Sequence, residues 1–269
     1  MATDITIRSL HTLDEFHRCV AIAREIWRDD ELDTEPYITF VIAHHTGGQV
    51  LGAFDGDSLV GFTKALVGLH DHTPYLHSHM TGVLASHRDR RIGRLLKLFQ
   101  REDALRRGIR LVEWTFDPLE TRNAHFNLNR LGGICRTYIP NFYGITTSPL
   151  HRGLPTDRLL VEWHLDSPRV IAAINELSRE PSDAPALIHL PAPGTAGLES
   201  GTLPSPGESA SQLSSAKASA DSSDAASIIE LQSRVRAEFT QWFAKSYAVT
   251  GIRFTASGAD YCLSPWSDF

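Results

Sequence analysis

Cysteine is scarce in this 269-residue chain. Cys19, Cys135 and Cys262 form an odd, widely spaced set with neither metal-ligand nor redox pairing. A disulfide scaffold is excluded, and a reducing cytoplasm is the compartment such a set fits. Long apolar runs are also missing. No stretch approaches the roughly eighteen uninterrupted apolar residues of a membrane span, and Met1-Ala2-Thr3-Asp4-Ile5 lacks the basic end and apolar block of a secretion signal. Positive charge is outnumbered, with 26 Lys and Arg against 32 Asp and Glu and a formal net charge of −6. That balance argues against a general nucleic-acid binder. What remains, 42% hydrophobic and 22% charged residues, is the composition of a folded globular chain rather than a disordered or collagen-like one.

Periodicity predicts the order of the elements. Ile5 to Arg8 read as a strand. Thr12 with Glu15 has capping-box spacing ahead of an apolar stripe at Leu13, Phe16, Val20, Ala23 and Trp27. A second helix is expected over 36–43, then a hairpin whose arms, 50–54 and 59–62, flank Asp55-Gly56. A long strand over 75–84 leads to a helix from Ile92 to Gly108, with Ile92, Leu95, Leu96 and Phe99 inward and the arginines and Lys97 on the other faces. Strands follow at 111–116, 136–139 and 159–165, with a helix over 121–131 closing at Gly132-Gly133. Residues 181–226 are rich in Ser, Ala, Pro, Gly and Asp and read as a flexible low-complexity insertion. Beyond it, a helix from Ile228 and a final hairpin over 252–263, within a C-terminal segment 227–269, dock back on one interrupted domain. The expected fold class is α+β, a mixed central sheet with helices on both faces.

Charge is concentrated where the long strand gives way to the helix. Residues 87–110 hold eight arginines and Lys97 against Asp89, Glu102 and Asp103. Arg88, Arg90, Arg91 and Arg94 surround the helix start, where unbonded N–H groups attract anions and guanidiniums add bidentate donors. A strand, a bend and such a helix form a pyrophosphate cradle; a solvated basic helix face is the bland alternative.

The run Val83-Leu84-Ala85-Ser86-His87-Arg88-Asp89-Arg90-Arg91-Ile92-Gly93-Arg94-Leu95-Leu96 resembles the acyl-CoA-binding segment of the GCN5-related N-acetyltransferase (GNAT) superfamily. Arg88 matches the first position of its motif and Gly93 the last, while Arg91 stands in place of the middle glycine. Ordinary helical torsions at Arg91 would leave the cradle intact, and a positive φ would distort it. Trp114-Thr115-Phe116-Asp117-Pro118-Leu119 with Arg122-Asn123-Ala124, Pro140-Asn141-Phe142-Tyr143-Gly144 and Gly153-Leu154-Pro155-Thr156-Asp157-Arg158 resemble a bacterial subgroup of predicted acetyltransferases. The resemblance implies the acyl-CoA N-acyltransferase fold and an acyl donor, acetyl-CoA or another short acyl-CoA. It implies backbone hydrogen bonds from Val83 and Leu84 to the pantetheine arm. Amides around Arg88, Arg90, Arg91, Ile92, Gly93 and Arg94 would hold the pyrophosphate, with Thr121 and Asn123 near the thiol end. A superfold does not define its acceptor, and the acceptor expected here is a small-molecule amine or amino acid; charge balance and the missing apolar runs leave no nucleic acid and no membrane as expected partners. Other acyl-CoA chemistry such as decarboxylation, or a non-catalytic acyl-CoA sensor, are the alternatives.

Acyl transfer to an amine needs a proton acceptor with a near-neutral pKa. His77 and His79 lie two apart on one strand and so share a face; the pair resembles strand histidines that serve as proton acceptors in a member of the superfamily. The tyrosine with which many relatives reprotonate the thiolate corresponds to Leu128, which leaves that role absent or moved; Tyr143 and Tyr138 are replacement candidates. Asn123 and Asn127, four apart, form a polar pair on one helix face. Glu113 reads as a paired strand residue, Asp117 as a helix cap, and Asp157-Arg158 as a structural ion pair. Two His-x-His pairs, His70/His72 and His77/His79, also permit a metal reading. The GNAT interpretation explains the second pair without a metal, and none is expected.

Overall fold

A computed structural model describes residues 5–28, 34–146, 148, 153–176, 184–192 and 222–266, the first four of the last segment as backbone alone. These residues form two compact units. The first comprises the chain up to Thr115 together with Glu162–Pro168, the second Phe116–Val161 and the chain from Arg169. Both are mixtures of sheet and helix, and the expected α+β architecture is the one observed.

In the first unit the order is β1 (Ile5–Ser9), α1 (Leu13–Trp27), α2 (Tyr37–His45), β2 (Gln49–Asp55), β3 (Ser58–His70), β4 (Thr73–Val83), α3 (Ile92–Arg106) and β5 (Leu111–Phe116). The strands lie side by side in the order β1-β2-β3-β4-β5. The first three pairings are antiparallel, and β4–β5 is parallel. Thr12 caps α1 as its spacing predicts: its hydroxyl accepts from the Glu15 amide while Glu15 reaches back to the Thr12 amide. β3 and β4 are joined by Asp71 and His72, both at positive φ, the two-residue turn whose twist suits a hairpin.

Alternate residues of the central strands face opposite sides, which puts helices on both faces. Val50, Phe54, Leu59 and Phe62 pack with Phe16, Ile22 and Phe40 of α1 and α2. Leu51, Ala53 and Val60 pack with Ile92 and Leu96 of α3.

The second unit contains α4 (Thr121–His125), a π-helical turn over Phe126–Arg130, β6 (Ile134–Ile139), the first residues of β7 (Arg158–His164), α5 (Pro168–Ile174, from Arg169), β8 (Ala186–Pro191), α6 (Ser222–Phe243), β9 (Tyr247–Thr255) and β10 (Gly258–Pro265). Its strands run β7-β6-β9-β10-β8. The single helix predicted over 121–131 therefore widens midway into a π turn, where Leu131 donates to Phe126 O. Ala186–Pro191 lies inside the segment read as a low-complexity insertion, yet it is a strand paired antiparallel with β10. Its alternation, with Ala186, Ile188 and Leu190 buried and Leu187 exposed, is an edge-strand pattern that the surrounding Ser, Pro and Gly obscured. Of the rest of that insertion, 181–183 and 193–221 lie outside the described residues, while 222–226 already belong to α6.

Candidate active site

In the first unit β4 and β5 separate. They are in register at Leu76↔Val112 and His77↔Glu113, and no further pair follows among the described residues. From Ser78 on one strand and Trp114 on the other, the parallel edges form a fork. The opposite edge of β4 is irregular at the same level: Lys64 pairs with Met80 and Ala65 with Ser78, so His79 is the extra residue of a β-bulge.

His77 and His79 are half-buried, with ring centroids 6.4 Å apart. Ser78 between them is buried on the other face. Burial pushes the His77 imidazole below its ordinary value, and the charges of His79 and Lys97 add to the effect. His79 Nε2 lies 3.4 Å from Glu35 Oε2. The other oxygen of Glu35 meets the ammonium of Lys64, a side chain 1% exposed that also donates to Thr39 Oγ1 at 3.0 Å. Burial alone would raise the Glu35 carboxyl; hydrogen bonds from His79, Lys64 and Thr39 and the Lys64 charge bring it down to about 2. Beside Glu35 a cleft of about 380 Å³ is lined by His17, Val20, Ala21, Arg24, Thr34, Pro36 and Tyr37.

Past the fork the chain makes one tight turn over Ala85–His87 and enters α3. The N-cap, Arg91, has φ 59 and ψ 15 and gives no side-chain cap. The sequence left open whether this position needs a glycine conformation. It does, and Arg91 adopts it, as Asp89 does at φ 62. This is the condition under which distortion of the cradle is expected, and Arg91 bears left-handed strain. The first intrahelical bond runs from Leu95 N to Arg91 O, so the amides of Ile92 and Gly93 precede it at the helix mouth. A Cβ added to Gly93 would meet nothing within 4 Å, which leaves open space beside those amides. These amides, with exposed Arg88 and Arg91 alongside, are the groups here that could hold a diphosphate.

Two residues of the expected cradle also make contacts within the fold. Arg90 donates to Asp55 Oδ2 at 2.7 Å, and His87 Nε2 approaches the same oxygen at 3.4 Å. Arg90 therefore ties the loop to the end of β2. Leu84 donates its N–H to Val60 O, and its carbonyl accepts from His87 N.

Lys97 was expected on a polar face. It is instead 3% exposed, with Ile92, Leu96, Gln100 and Ala104 forming the buried side of α3. Its ammonium donates to Ser78 Oγ (2.8 Å) and Gln100 Oε1 (3.1 Å) and lies 4.0 Å from the Trp114 ring centroid. Burial pulls its pKa down to about 7. The spacing Ile92/Leu96/Gln100 with Lys97/Ala104 was the available signal; weighting Lys as a surface residue hid it.

Glu113 is a paired strand residue, as expected: both oxygens lie within 3.2 Å of His70 Nε2, and burial raises its pKa. His70 in turn stacks on Tyr75 at 4.1 Å. Among the described residues no group of three or more His, Cys, Asp or Glu is placed to hold a metal ion.

Thr121, Asn123 and Tyr143 belong to the second unit. Asn127 donates to Asn123 Oδ1 at 3.3 Å, so the expected pair bonds within itself. Asp117 Oδ1 accepts from Leu119 N at 2.8 Å, closing the turn before α4. Tyr143, 42% exposed, sits edge-on to Phe142 with the Arg158 guanidinium 5.3 Å from its ring. The two loop motifs interlock. Thr156 N donates to Asn141 Oδ1, Tyr143 N to Thr156 Oγ1 and Asn141 N to Asp157 Oδ1, all within 3.1 Å. Asp157 is a structural ion pair, although its partner is Arg236 of α6 rather than the adjacent Arg158.

No protein-family model matches the chain, and no curated protein does. Solved structures of similar shape include the ribosomal-protein-S18-alanine N-acetyltransferase of Escherichia coli, at 15% identity and a TM-score of 0.49 over 61% of this chain and 96% of that one. A putative acetyltransferase of the GNAT family from Desulfovibrio desulfuricans aligns at 13% identity and 0.48 over 60% and 99%. An aminoglycoside 6'-acetyltransferase type Ii aligns at 18% identity and 0.47 over 60% and 98%.

Proposed function

We propose that the chain is an acyl-CoA-dependent N-acyltransferase that moves a short acyl group, acetyl by default, to the amine of a small metabolite. The observation that carries this reading is the β4–β5 fork, which has two histidines at its vertex and the uncapped, arginine-flanked start of α3 at its far end, all within one unit. A strand edge released from pairing offers backbone groups to an extended amide-bearing arm, and the helix mouth offers amides to a diphosphate. When bound, the thioester supplies an activated acyl carbon.

The remaining work falls to side chains. His79, held by Glu35, faces the amine and takes its surplus proton; His77, its pKa lowered by burial, stays neutral and able to accept one at pH 7. The cleft beside Glu35 has the volume of a small-molecule site, and its Arg24, Glu35 and aromatic walls suit a polar amine or amino acid.

The test is thiol release from acetyl- and succinyl-CoA with a panel of amines and amino acids of both hands. His77→Ala with His79→Ala should lower turnover by about tenfold or more while CoA binding persists. Unchanged rates in that double variant would remove the histidines from the mechanism, and CoA binding without thiol release under any amine would mark a sensor instead of an enzyme.

A further inference from the structure

Resting on that function, one buried group at the fork has no role yet. Lys97 reaches the sheet from α3, on the face opposite His77 and His79. Its two sheet partners, Ser78 and Trp114, are the first residues of β4 and β5 beyond the last paired positions. The ammonium therefore sits at the vertex of the fork, where an extended thioester arm lying between the strands would end.

Its surroundings among the described residues offer it neutral acceptors and no carboxylate in contact. Among the described residues, Ser78 Oγ and Gln100 Oε1 accept two of its three hydrogens, which leaves the third toward the indole side. Gln100 is fixed in turn by Gln49, and Gln49 by Asp103, so the carboxylate stands two side chains away. Around that contact, β1, β2 and β3 pack against α3 with Ile5, Ile7, Leu51, Ala53 and Val60, and β2 adds Gln49. From β4, His77 is the titratable group whose charge couples to Lys97.

We propose that Lys97 is the proton donor to the departing CoA thiolate, acting from the vertex of the β4–β5 fork while the histidines act from the opposite face of β4. The step balances as follows. The nitrogen of a neutral amine bonds to the acyl carbon, and its surplus proton passes to a histidine. The C–S bond breaks, its electron pair stays on sulfur, and the sulfur takes a proton from the Lys97 ammonium. Amide, free thiol, histidinium and neutral Lys97 result, and return of the histidinium proton to Lys97 through solvent resets the site. Burial puts Lys97 near pH 7, where a donor can both hold and release a proton. Leu128, fully buried and without a hydroxyl, cannot serve as that acid.

The experiment uses the full chain, following turnover of saturating acetyl-CoA with a weakly basic amine against pH, and CoA affinity by calorimetry. A donor that titrates near pH 7 must be protonated to act, so wild-type turnover should fall as pH rises through about 7. Lys97→Met, which keeps the stem, should remove that alkaline fall and cut turnover by about a hundredfold or more, with CoA affinity near wild type. Wild-type turnover that does not fall on the alkaline side overturns the proposal before any variant is made, as does Lys97→Met that retains most of its turnover. In either case, thiol release that still depends on His77 and His79 leaves the acyltransferase reading standing. A wild-type protein that binds no CoA removes both.

Discussion

Arg91 carries a backbone burden that its side chain does not share. Its φ of 59 lies in the left-handed region, which costs a residue with a Cβ about 1–2 kcal/mol. No hydrogen bond or ion pair of its guanidinium offsets that strain among the described residues, and the side chain is exposed. Arg91→Gly should relieve the strain, while the freer unfolded chain takes back about 0.4–1 kcal/mol. The expected outcome is a net gain of roughly 0.5–1 kcal/mol in urea unfolding, together with weaker CoA binding and a shallower salt dependence from the lost cation. A loss of stability would mean that the arginine side chain holds the turn. Glu35 and Lys64 show the opposite balance between burial and partners. At Glu35 three hydrogen-bond donors outweigh burial and the carboxyl stays ionised, whereas at Lys64 burial outweighs Glu35 and the ammonium is held less firmly than in water. The pair anchors the carboxylate that meets His79.

Among the elements, α6 depends most on one buried charge. The Asp157 side chain is fully buried. It accepts from Tyr138 Oη at 2.6 Å, from Asn141 N at 2.9 Å and from Arg236 Nε and Nη2 at 3.0 Å or less. Val235 and Phe239 are buried beside it, and Phe239 stacks on Tyr138. Asp157→Asn keeps the shape but removes the charge and one acceptor. It should destabilise the protein at the lower end of the roughly 3–5 kcal/mol seen when a buried pair is broken, because Arg236 is partly solvated. Chemical denaturation measures this, and a change under ~0.5 kcal/mol would show that packing alone holds the helix. How legible each element was in the sequence follows from the range of the forces that form it. The Thr12–Glu15 cap is local chemistry and was read directly, as was the hairpin marked by Asp55-Gly56, although its two-residue turn is Gly56-Asp57. The motif 153–158 was seen, but its partner Arg236 lies 79 residues beyond Asp157, and no spacing rule reaches that far. The bulge at His79 and the fork beyond His77 arise from register between strands, which a period-2 pattern does not encode. Lys97 escaped because a buried lysine without a carboxylate goes against the usual partition of charge.

At the scale of the whole chain, neither unit is one contiguous stretch. The first takes back Glu162–Pro168 after the chain has entered the second, and that return is built in: Trp163 is fully buried and sits edge-on to Trp114, while Leu165 N donates to Arg110 O. Truncation at Thr115 would remove these contacts, so the fork is best studied in the full chain. The segment most open to shortening lies between β8 and α6. Residues 193–221 contain no aromatic residue and are mostly Ser, Ala, Gly, Pro and Asp, a composition with little apolar area to bury. The boundary matters. Leu190 is buried and pairs with Ala259, so a deletion begun there would cut into β8. Replacing 195–219 by a Gly/Ser linker of about ten residues leaves β8 and α6 whole, and loop-closure entropy changes little with such shortening, about 0.6 kcal/mol per halving of length. Unfolding should stay cooperative with a midpoint close to wild type, and calorimetry should return the same CoA affinity. Loss of the cooperative transition would place part of 195–219 in the packed core, and retained folding with altered CoA affinity would give the segment a part in binding that its composition does not suggest.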